Sequence, residues 1–441
     1  MRALRPESVV VVGSSTIVEE LGMTHPDLFR GIVSNLRHFR GPVSVVDIDA
    51  PPDSIEGDLV VIALPPEHSL EWAERCAAAG MRAIIQITGG FTPEQRARYA
   101  ALVVEHGIRL LGPNSIMGYI DTGIGLNTAF NEGVEPSRGP ASFIVQSGGI
   151  GAAILDTTIS EGLGISRFAF VGDKLDIDDV DLLLDLKEDP GTGAIGMYVE
   201  GVKEGRLFVE AASEVTAVKP VVALKGGISR EGARRARSHT ASVSGSDDIF
   251  DIALREAGVI RVPSIRALID TTMALAHQPP LQGGRIAIVS NVGGPAILCA
   301  DAVVRAGLGI ARLDRTTISR VAGRYPGVEM IDPVDLIADA DGERYRHVLG
   351  AVLDDPNVDG VIVINQLKSC LLRPSDVDAF IPALARSEKP VVDVVPGGTD
   401  LRLLRERFVG AGIPVYGDPQ YAVEAMEALH RYSLVLERRY A

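Results

Sequence analysis

One segment of this sequence occurs twice, and the repeat limits the folds that the chain can adopt. Residues 143–168 (FIVQSGGIGAAILDTTISEGLGISRF) align at a constant offset of 145 residues with residues 288–313, which lie in the segment RIAIVSNVGGPAILCADAVVRAGLGIARL (285–313). The matched positions include two pairs of glycines, Gly148 and Gly149 in the first copy and Gly293 and Gly294 in the second. Each copy has the pattern of a β-strand, a glycine turn and a helix, which is the unit of an α/β domain. The sequence therefore predicts two copies of one α/β unit.

Short β-branched segments and amphipathic helical patterns alternate ahead of the repeat. The predicted strands are 8–12, 43–46, 59–64 and 83–87, and the predicted helices are 69–79 and 93–106. This alternation indicates a parallel sheet, whose ligands lie beyond the carboxyl ends of the strands. Pro- and Gly-rich linkers at 135–140 and 278–284 separate this part from the two copies, and 441 residues are enough for about three domains.

The turns at the predicted strand ends hold the candidate ligand-binding residues of the first domain. These residues are Gly13, Ser14, Ser15, Pro65, Thr88, Gly89 and Asn114. The turns suit a nucleotide-like ligand, but no GxGxxG motif follows the first strand, so they do not identify it. Asp47 ends the second predicted strand, where it could bind a ribose hydroxyl, and a NAD-binding oxidoreductase therefore remains an alternative.

Residues 225–251 place one histidine between an arginine-rich glycine loop and the start of a helix. The segment runs KGGISREGARRARSHTASVSGSDDIFD after a predicted buried strand at 219–225, and small hydroxyl residues surround His239. Ser246 is a candidate N-cap for the helix that follows. A histidine in this setting has no apolar face to fill, which disfavours a packing role. Its neutral imidazole is a usable nucleophile, and the nearby arginines can hold the charge of a phosphoryl group.

The segment KGG...ARSHTASVSGSDDIFDIALREAGVIRV closely resembles the phosphohistidine segment of the α subunit of ADP-forming acyl-CoA synthetases, which are relatives of succinyl-CoA synthetase. The resemblance covers nearly the whole chain. It implies that His239 carries a phosphoryl group between acyl phosphate and nucleotide. It also implies that Glu200, the glutamate of a YVEG-like segment, supports the phosphorylated imidazole.

The LGPN and ITGGF turns resemble the CoA-binding domain of the same family. The resemblance therefore implies an N-terminal Rossmann-like CoA-binding domain at 1–134, followed by two flavodoxin-like domains. The first of these, at 141–277, would carry the phosphohistidine loop, and the second would occupy 283–441. Asp47 and Asp49 depart from the family, which has a proline and lysine segment there, and they would repel the 3′-phosphate of CoA unless Arg37 or Arg40 lies nearby.

The glycine turns of the two copies are candidate phosphate sites. Helices that begin at Ser147-Gly148-Gly149 and at Gly293-Gly294 would present unpaired N–H groups and the positive end of a helix dipole. The alternative is that the glycines only allow a helix to pack closely on a strand. The copies differ after a later strand, where the first has Glu200 and the second has Asn365, and only the first contains the histidine loop.

The implied reaction converts acyl-CoA, phosphate and ADP to acid, CoA and ATP through acyl phosphate and phosphohistidine. The sequence contains no P-loop motif and no region that resembles the ATP-grasp nucleotide domain of the family. An ATP-grasp β subunit is therefore expected to supply the site for ADP and Mg²⁺ in a hetero-oligomer, α2β2 by resemblance, and no metal site is predicted in this chain. A non-catalytic CoA-binding regulatory paralogue is a further alternative.

Composition limits the expected cellular location of the protein and the classes of ligand that it can bind. A net charge of −15 and a pI near 5.1 argue against a general nucleic-acid binder. No stretch reaches the roughly 18 apolar residues of a membrane helix, and the N-terminus lacks a signal-peptide pattern, so a cytoplasmic protein is expected. Three scattered cysteines are too few for a disulfide framework or a zinc site.

Overall fold

The computed structural model describes residues 2–14, 28–232, 234, 247–368 and 371–440. The chain divides into two compact units, Met1–Ile265 and Arg266–Ala441. Within the described residues, no helix combines the length and the apolar character needed to cross a membrane.

The first sheet of unit 1 is parallel, and its strands lie in the order β2-β1-β3-β4-β5. Its strands are β1 (Val9–Gly13), β2 (Val43–Asp47), β3 (Leu59–Ile62), β4 (Ala83–Gln86) and β5 (Arg109–Leu111). The helices are α1 (Leu28–Asn35), α2 (Pro66–Ala78) and α3 (Pro93–His106), with 3-10 turns at Arg2–Leu4 and Leu36–His38. Strands β1, β3 and β4 are buried along their whole length, as expected for a parallel sheet with both faces covered.

The second sheet of unit 1 has the order β12-β11-β10-β8-β9-β6-β7. Its strands are β6 (Tyr119–Asp121), β7 (Leu126–Asn127), β8 (Arg138–Val145), β9 (Ile165–Phe170), β10 (Ala194–Val199), β11 (Val221–Lys225) and β12 (Ile260–Val262). The helices are α4 (Gly148–Ser160), α5 (Asp179–Lys187), α6 (Gly205–Thr216) and α7 (Asp247–Glu256). Strand β6 pairs antiparallel with β9, so residues 119–127 join this sheet although the predicted domain boundary assigns them to the first domain.

The two sheets of unit 1 share one continuous apolar core. Residues of the first sheet, such as Val9 and Ile85, belong to the same cluster as Ile144 and Ile195 of the second sheet. An ion pair of 2.8 Å between Arg109 on β5 and Asp176 also joins the two parts. The first two predicted domains therefore form one compact unit, and their separate boundaries stay a prediction.

The sheet of unit 2 has the order β14-β13-β16-β17-β18, with β15 paired to β13. Its strands are β13 (Arg285–Ser290), β14 (Gly309–Ile310), β15 (Val334–Asp335), β16 (Gly360–Ile364), β17 (Val391–Val394) and β18 (Val415–Tyr416). The helices are α8 (Ile265–His277), α9 (Gly293–Arg305), α10 (Arg315–Ala322), α11 (Gly342–Leu353), α12 (Pro374–Val377), α13 (Ile381–Ala385), α14 (Gly398–Gly410) and α15 (Pro419–Tyr440).

The parallel part of each sheet has the same doubly wound strand order. When the parallel strands are numbered within each domain, each sheet has the order 2-1-3-4-5. The strands are added on one side of the first strand and then on its other side, so the strand order reverses between the first and the third strand. Ligands of such sheets bind at this switch point, beyond the carboxyl ends of the two strands. The switch points here lie between β1 and β3, between β8 and β10, and between β13 and β16. The predicted α/β fold class is confirmed.

The predicted internal repeat is also confirmed. Helix α4 spans Gly148–Ser160 and helix α9 spans Gly293–Arg305, so both ends keep the offset of 145 residues. Strands β8 and β13 end at Val145 and Ser290, again 145 residues apart. The two glycine turns therefore stand at equivalent switch points, one in each compact unit.

Candidate functional site

The end of strand β1 is packed more tightly than its glycine turn suggested. A Cβ at Gly13 would lie 2.2 Å from the ring of Phe29, so this glycine is required for packing. Ser14 is buried, and its hydroxyl donates a 3.0 Å hydrogen bond to Asp49, which follows β2. Asp47 in turn accepts a 3.1 Å hydrogen bond from the Asp49 N–H. Two carboxylates therefore stand beside the β1 turn, at the place where a doubly wound domain binds ribose.

The turns after β3, β4 and β5 contact one another at the same edge of the sheet. The Thr88 hydroxyl donates to the Leu64 carbonyl and accepts a 2.8 Å hydrogen bond from Gln86. The Asn114 N–H donates to the Thr88 carbonyl at 2.8 Å, and a Cβ at Gly89 would lie 2.9 Å from the Asn114 side chain. These contacts bring three predicted turns together and leave the Thr88 hydroxyl occupied inside the protein.

Asp173 and Lys174 connect this edge to the second sheet. Asp173 forms an ion pair with Arg96, and its N–H donates to the Pro113 carbonyl at 2.8 Å. Lys174 is buried, and its ammonium donates to Asp179 at 2.5 Å and to the Gly201 carbonyl at 2.9 Å. The pair therefore extends from the first sheet to the turn that contains Glu200. The predicted site residues did not include this pair.

The turn at Glu200 and Gly201 follows β10 and is fixed by three buried side chains. The Gln146 amide oxygen accepts from the N–H groups of Glu200 at 2.9 Å and of Gly201 at 3.3 Å. The Lys225 ammonium donates to the Glu200 carbonyl at 2.9 Å, as Lys174 does to Gly201. Glu200 itself is only 6% exposed. A backbone held by several hydrogen bonds keeps this carboxylate in one place at the switch point of the second sheet.

Lys225 belongs to the strand that leads into the histidine segment. Burial lowers the pKa of Lys225, and the carboxylates of Asp247 and Glu200 partly offset that effect. Its ammonium lies 5.4 Å from the centre of the Phe250 ring on α7. Asp247 begins α7 and accepts a 2.7 Å hydrogen bond from Arg261. The two ends of the histidine segment are therefore both close to Lys225.

Unit 2 contains an equivalent of the Gln146 bridge. Asn291, which aligns with Gln146 at the offset of 145, accepts a hydrogen bond from the Gln366 N–H at 3.0 Å. Its amide nitrogen donates to the Gln366 carbonyl at 3.0 Å. The aligned amides at 146 and 291 were visible in the sequence, and they are the signal that could have revealed this bridge in both copies.

The glycine turns themselves have open space around them. Among the described residues, a Cβ at Gly149, Gly293 or Gly294 would meet no atom within 4 Å, whereas a Cβ at Gly148 would lie 2.9 Å from Ile116. Neither the Ser147 nor the Val292 side chain caps its helix within the described part of the chain. Close packing therefore explains Gly148 and leaves the other glycines unexplained. Their role as one joint phosphate site stays a prediction, because they belong to different compact units.

The second copy replaces Glu200 by a buried amide that pairs with an acid. Asn365 donates a 2.5 Å hydrogen bond to Asp393, and both residues are fully buried. Within the described residues, the Oδ1 atoms of Asn365 and Asp393 have no hydrogen-bond partner. Burial raises the pKa of Asp393 well above its usual value. The second copy therefore has a buried amide–acid pair where the first copy has the Glu200 carboxylate.

Replacing Asp393 by asparagine is expected to stabilise the protein at high pH. The raised pKa means that the folded protein keeps a proton that the unfolded chain loses above about pH 4, so stability falls as pH rises from there. The neutral amide removes that dependence, and we expect a gain of about 1–3 kcal/mol at pH 8 and little change at pH 4. Thermal unfolding across this pH range, with exposed Asp301→Asn as the control, measures the effect. An unchanged pH slope in the Asp393 variant would contradict it.

His239 and Ser15 lie outside the described residues, so their predicted roles stay predictions. Within the described ranges, no group of three or more His, Cys, Asp or Glu residues is placed to hold a metal ion.

Comparisons with known proteins agree in family. Residues 34–120 match the family described as a CoA binding domain, and residues 138–275 match the succinyl-CoA ligase like flavodoxin domain. The chain is 33% identical to the α subunit of ADP-forming acetate–CoA ligase II from Pyrococcus furiosus, over 96% of each chain. It is 30% identical to the ADP-forming 4-hydroxybutyrate–CoA ligase of Nitrosopumilus maritimus, over 98% of this chain and 64% of that protein.

A solved structure has the same fold over nearly the whole chain. It is the dinucleotide-forming acetyl-coenzyme A synthetase 1 of Candidatus Korarchaeum cryptofilum in complex with phosphate and ADP. The similarity has a TM-score of 0.87 and 30% sequence identity, and it covers 99% of this chain and 98% of the other.

Proposed function

Because this chain belongs to the ADP-forming acyl-CoA ligases of the succinyl-CoA synthetase-like superfamily, we propose that it is the α subunit of such an acid–thiol ligase. Phosphate attacks the thioester of acyl-CoA and displaces CoA, which gives acyl phosphate. His239 takes the phosphoryl group from acyl phosphate and releases the acid. ADP then takes the phosphoryl group from His239 to form ATP. The reverse sequence activates an acid.

The fixed Glu200 turn is the single observation that carries this proposal. Glu200 stands at a sheet switch point, where Gln146 and Lys225 hold its backbone and Lys174 holds that of Gly201. A carboxylate in a fixed position can accept from one imidazole nitrogen of His239, set its tautomer and stabilise the charge of the phosphorylated ring. The histidine segment begins at Lys225, which brings its first residues beside the same turn.

Two sets of backbone groups complete the proposed chemistry. Ser147, Gly148, Gly149, Gly293 and Gly294 would bind phosphate at the starts of α4 and α9, and the open space at three of these glycines supports that role. CoA would lie along the edge of the first sheet, where Gly13, Ser14, Ser15, Pro65, Thr88, Gly89 and Asn114 are the candidate contacts. At Thr88 the contact would be made by the backbone, since its hydroxyl is already bonded.

The names of the relatives support the proposal of a partner subunit. The Pyrococcus furiosus relative is called an α subunit, and about a third of the longer Nitrosopumilus maritimus ligase lies outside the part that this chain matches. We therefore assign ADP and Mg²⁺ to an ATP-grasp β subunit, in an α2β2 assembly. Three domains at 1–134, 141–277 and 283–441 and a cytoplasmic location belong to the same proposal.

Reconstitution with a β subunit tests the function. The purified pair is incubated with labelled ATP, and an acid-labile, alkali-stable label on the α chain is expected, followed by acyl-CoA formation from a panel of short-chain, branched and aryl acids. A non-catalytic paralogue would bind CoA in calorimetry without acquiring label. Absence of both label and acyl-CoA with every acid would show that the proposal is wrong.

Asp47 and Asp49, at the end of β2, are expected to weaken the binding of CoA by repelling its 3′-phosphate. Arg37, one cation that could have offset these carboxylates, instead bonds Ser34 and Glu135. We expect Asp49→Asn to lower the KM for CoA by about 2- to 5-fold, because one repulsion is removed. The same variant should leave the KM for 3′-dephospho-CoA unchanged. Steady-state kinetics with both thiols, and with exposed Asp53→Asn as the control, measure this difference. Equal effects on both thiols would contradict the repulsion.

A further inference from the structure

We propose that Tyr198 is a positioning residue that holds the Glu200 side chain, and that residue 226 is glycine because the Tyr198 hydroxyl occupies the space of a side chain there. This inference rests on the proposed function, since it concerns the carboxylate that would support phosphohistidine. It links one strand, the Glu200 turn and the first residue of the histidine segment.

Tyr198 and Glu200 are two residues apart where β10 ends, so their side chains lie on the same face of the chain. The Tyr198 hydroxyl is 3.2 Å from Glu200 Oε1. A carboxylate has only acceptors, so the tyrosine donates this hydrogen bond. The four hydrogen bonds to the backbone of Glu200 and Gly201 fix the main chain, and Tyr198 adds a contact to the carboxylate itself.

The Tyr198 hydroxyl is protonated, as a hydrogen-bond donor to Glu200 must be. Burial, and then the neighbouring Glu200 carboxylate, raise the pKa of Tyr198 above its usual value. The hydroxyl therefore keeps its proton at physiological pH and remains able to donate. Tyr198 is also half-buried, which limits competition from water for the same bond.

Gly226 shows that the hydroxyl is closely enclosed. A Cβ at Gly226 would lie 2.3 Å from the Tyr198 hydroxyl oxygen and 2.9 Å from its Cζ. The neighbouring Gly227 has a φ of 72°, whereas Gly226 does not adopt a positive φ. Glycine at 226 is therefore required by the space that Tyr198 fills, and not by the backbone conformation. The Gly226 N–H donates to the Val199 carbonyl at 2.9 Å, which keeps it against this strand.

These contacts explain how the Glu200 carboxylate and the start of the histidine segment keep fixed positions relative to each other. The tyrosine hydroxyl contacts the Glu200 carboxylate and also lies against Gly226, so a shift of either residue would disturb the other. Lys225 strengthens the same corner, because its ammonium donates to the carbonyls of Glu200 and Gly226. Tyr198 acts through Glu200 and has no proposed contact with substrate.

Replacing Tyr198 by phenylalanine in the full α chain, assayed with the β subunit, tests the positioning role. We expect kcat and the single-turnover rate of phosphohistidine formation to fall by about 10-fold, because a hydrogen bond to a charged group is lost. The KM for CoA should not change, since CoA is assigned to the first sheet. Tyr119→Phe is the matched control, because the Tyr119 hydroxyl is buried and has no partner within the described residues. Equal rates in the Tyr198 and Tyr119 variants would overturn the proposal.

A double-mutant cycle tests the second half of the inference. Gly226→Ala should slow phosphohistidine formation and lower the Tm, and the loss should be smaller when Tyr198 is phenylalanine, since the closest clash is removed. Equal losses in both backgrounds would overturn the steric claim. The measurement of Tm in this cycle requires no turnover, so it distinguishes failure of this inference from failure of the proposed function. If no wild-type label forms while the Tm coupling is present, the proposed function is wrong and the contact between residues 198 and 226 is real.

Discussion

Replacing His239 by alanine is expected to abolish phosphorylation of the α chain and to lower ligase turnover by about 10⁴-fold or more, the range seen when a covalent nucleophile is removed. The imidazole is the proposed carrier between acyl phosphate and ADP, so its removal is expected to interrupt the transfer. Labelled ATP with the β subunit measures the label, and a coupled assay measures turnover. CoA binding by calorimetry should stay unchanged, because His239 is outside the proposed CoA domain.

A second histidine serves as the control for this variant. His106 is exposed in the last turn of α3, and His106→Ala should keep both label and turnover. Label that persists in the His239 variant would place the phosphoryl group on another residue. Loss of CoA binding together with label would point to misfolding, and thermal unfolding of the variant distinguishes that outcome.

The sequence predicted those parts of the fold that depend on local patterns. Helix α3 runs from Pro93 to His106 as expected, and its Thr92 and Gln95 capping box explains why the start was clear. The repeat kept its offset of 145 residues because identical glycines and apolar positions recur in both copies. Residues 119–127 escaped prediction, since short strands such as β6 are selected by the neighbouring strand β9 and not by their own pattern.

The candidate site was only partly predictable, because the sequence does not show where side chains find their partners. Glu200 was identified by its motif, but Lys174 and Lys225 became part of its surroundings only when distant strands met. Conversely, Gly13 had the appearance of a ligand turn and turned out to accommodate the Phe29 ring. A glycine that faces a side chain and a glycine that faces open space look the same in a sequence, and only packing distinguishes them.

Glu200→Gln is expected to reduce phosphohistidine formation by about 10²- to 10³-fold, the loss typical for one preorganised electrostatic partner. Glutamine keeps an oxygen that can accept from Tyr198 and leaves the backbone bonds to Gln146 and Lys225 intact, so the change removes charge with little change of shape. The variant therefore isolates the electrostatic role of the carboxylate. Single-turnover labelling with the β subunit measures the effect.

The control for Glu200→Gln is Glu204→Gln, four residues further along the chain. Glu204 is exposed and makes no side-chain cap of α6 within the described residues, so its charge should not matter for turnover. If Glu200→Gln stayed within about 2-fold of the wild type, its carboxylate would have no electrostatic role in the transfer, and Tyr198 would then hold a purely structural side chain. A large loss in Glu200→Gln with a 10-fold loss in Tyr198→Phe would instead show that the charge of the Glu200 carboxylate contributes more to the transfer than its orientation by Tyr198. That order is expected, because the tyrosine acts only through the carboxylate that it orients.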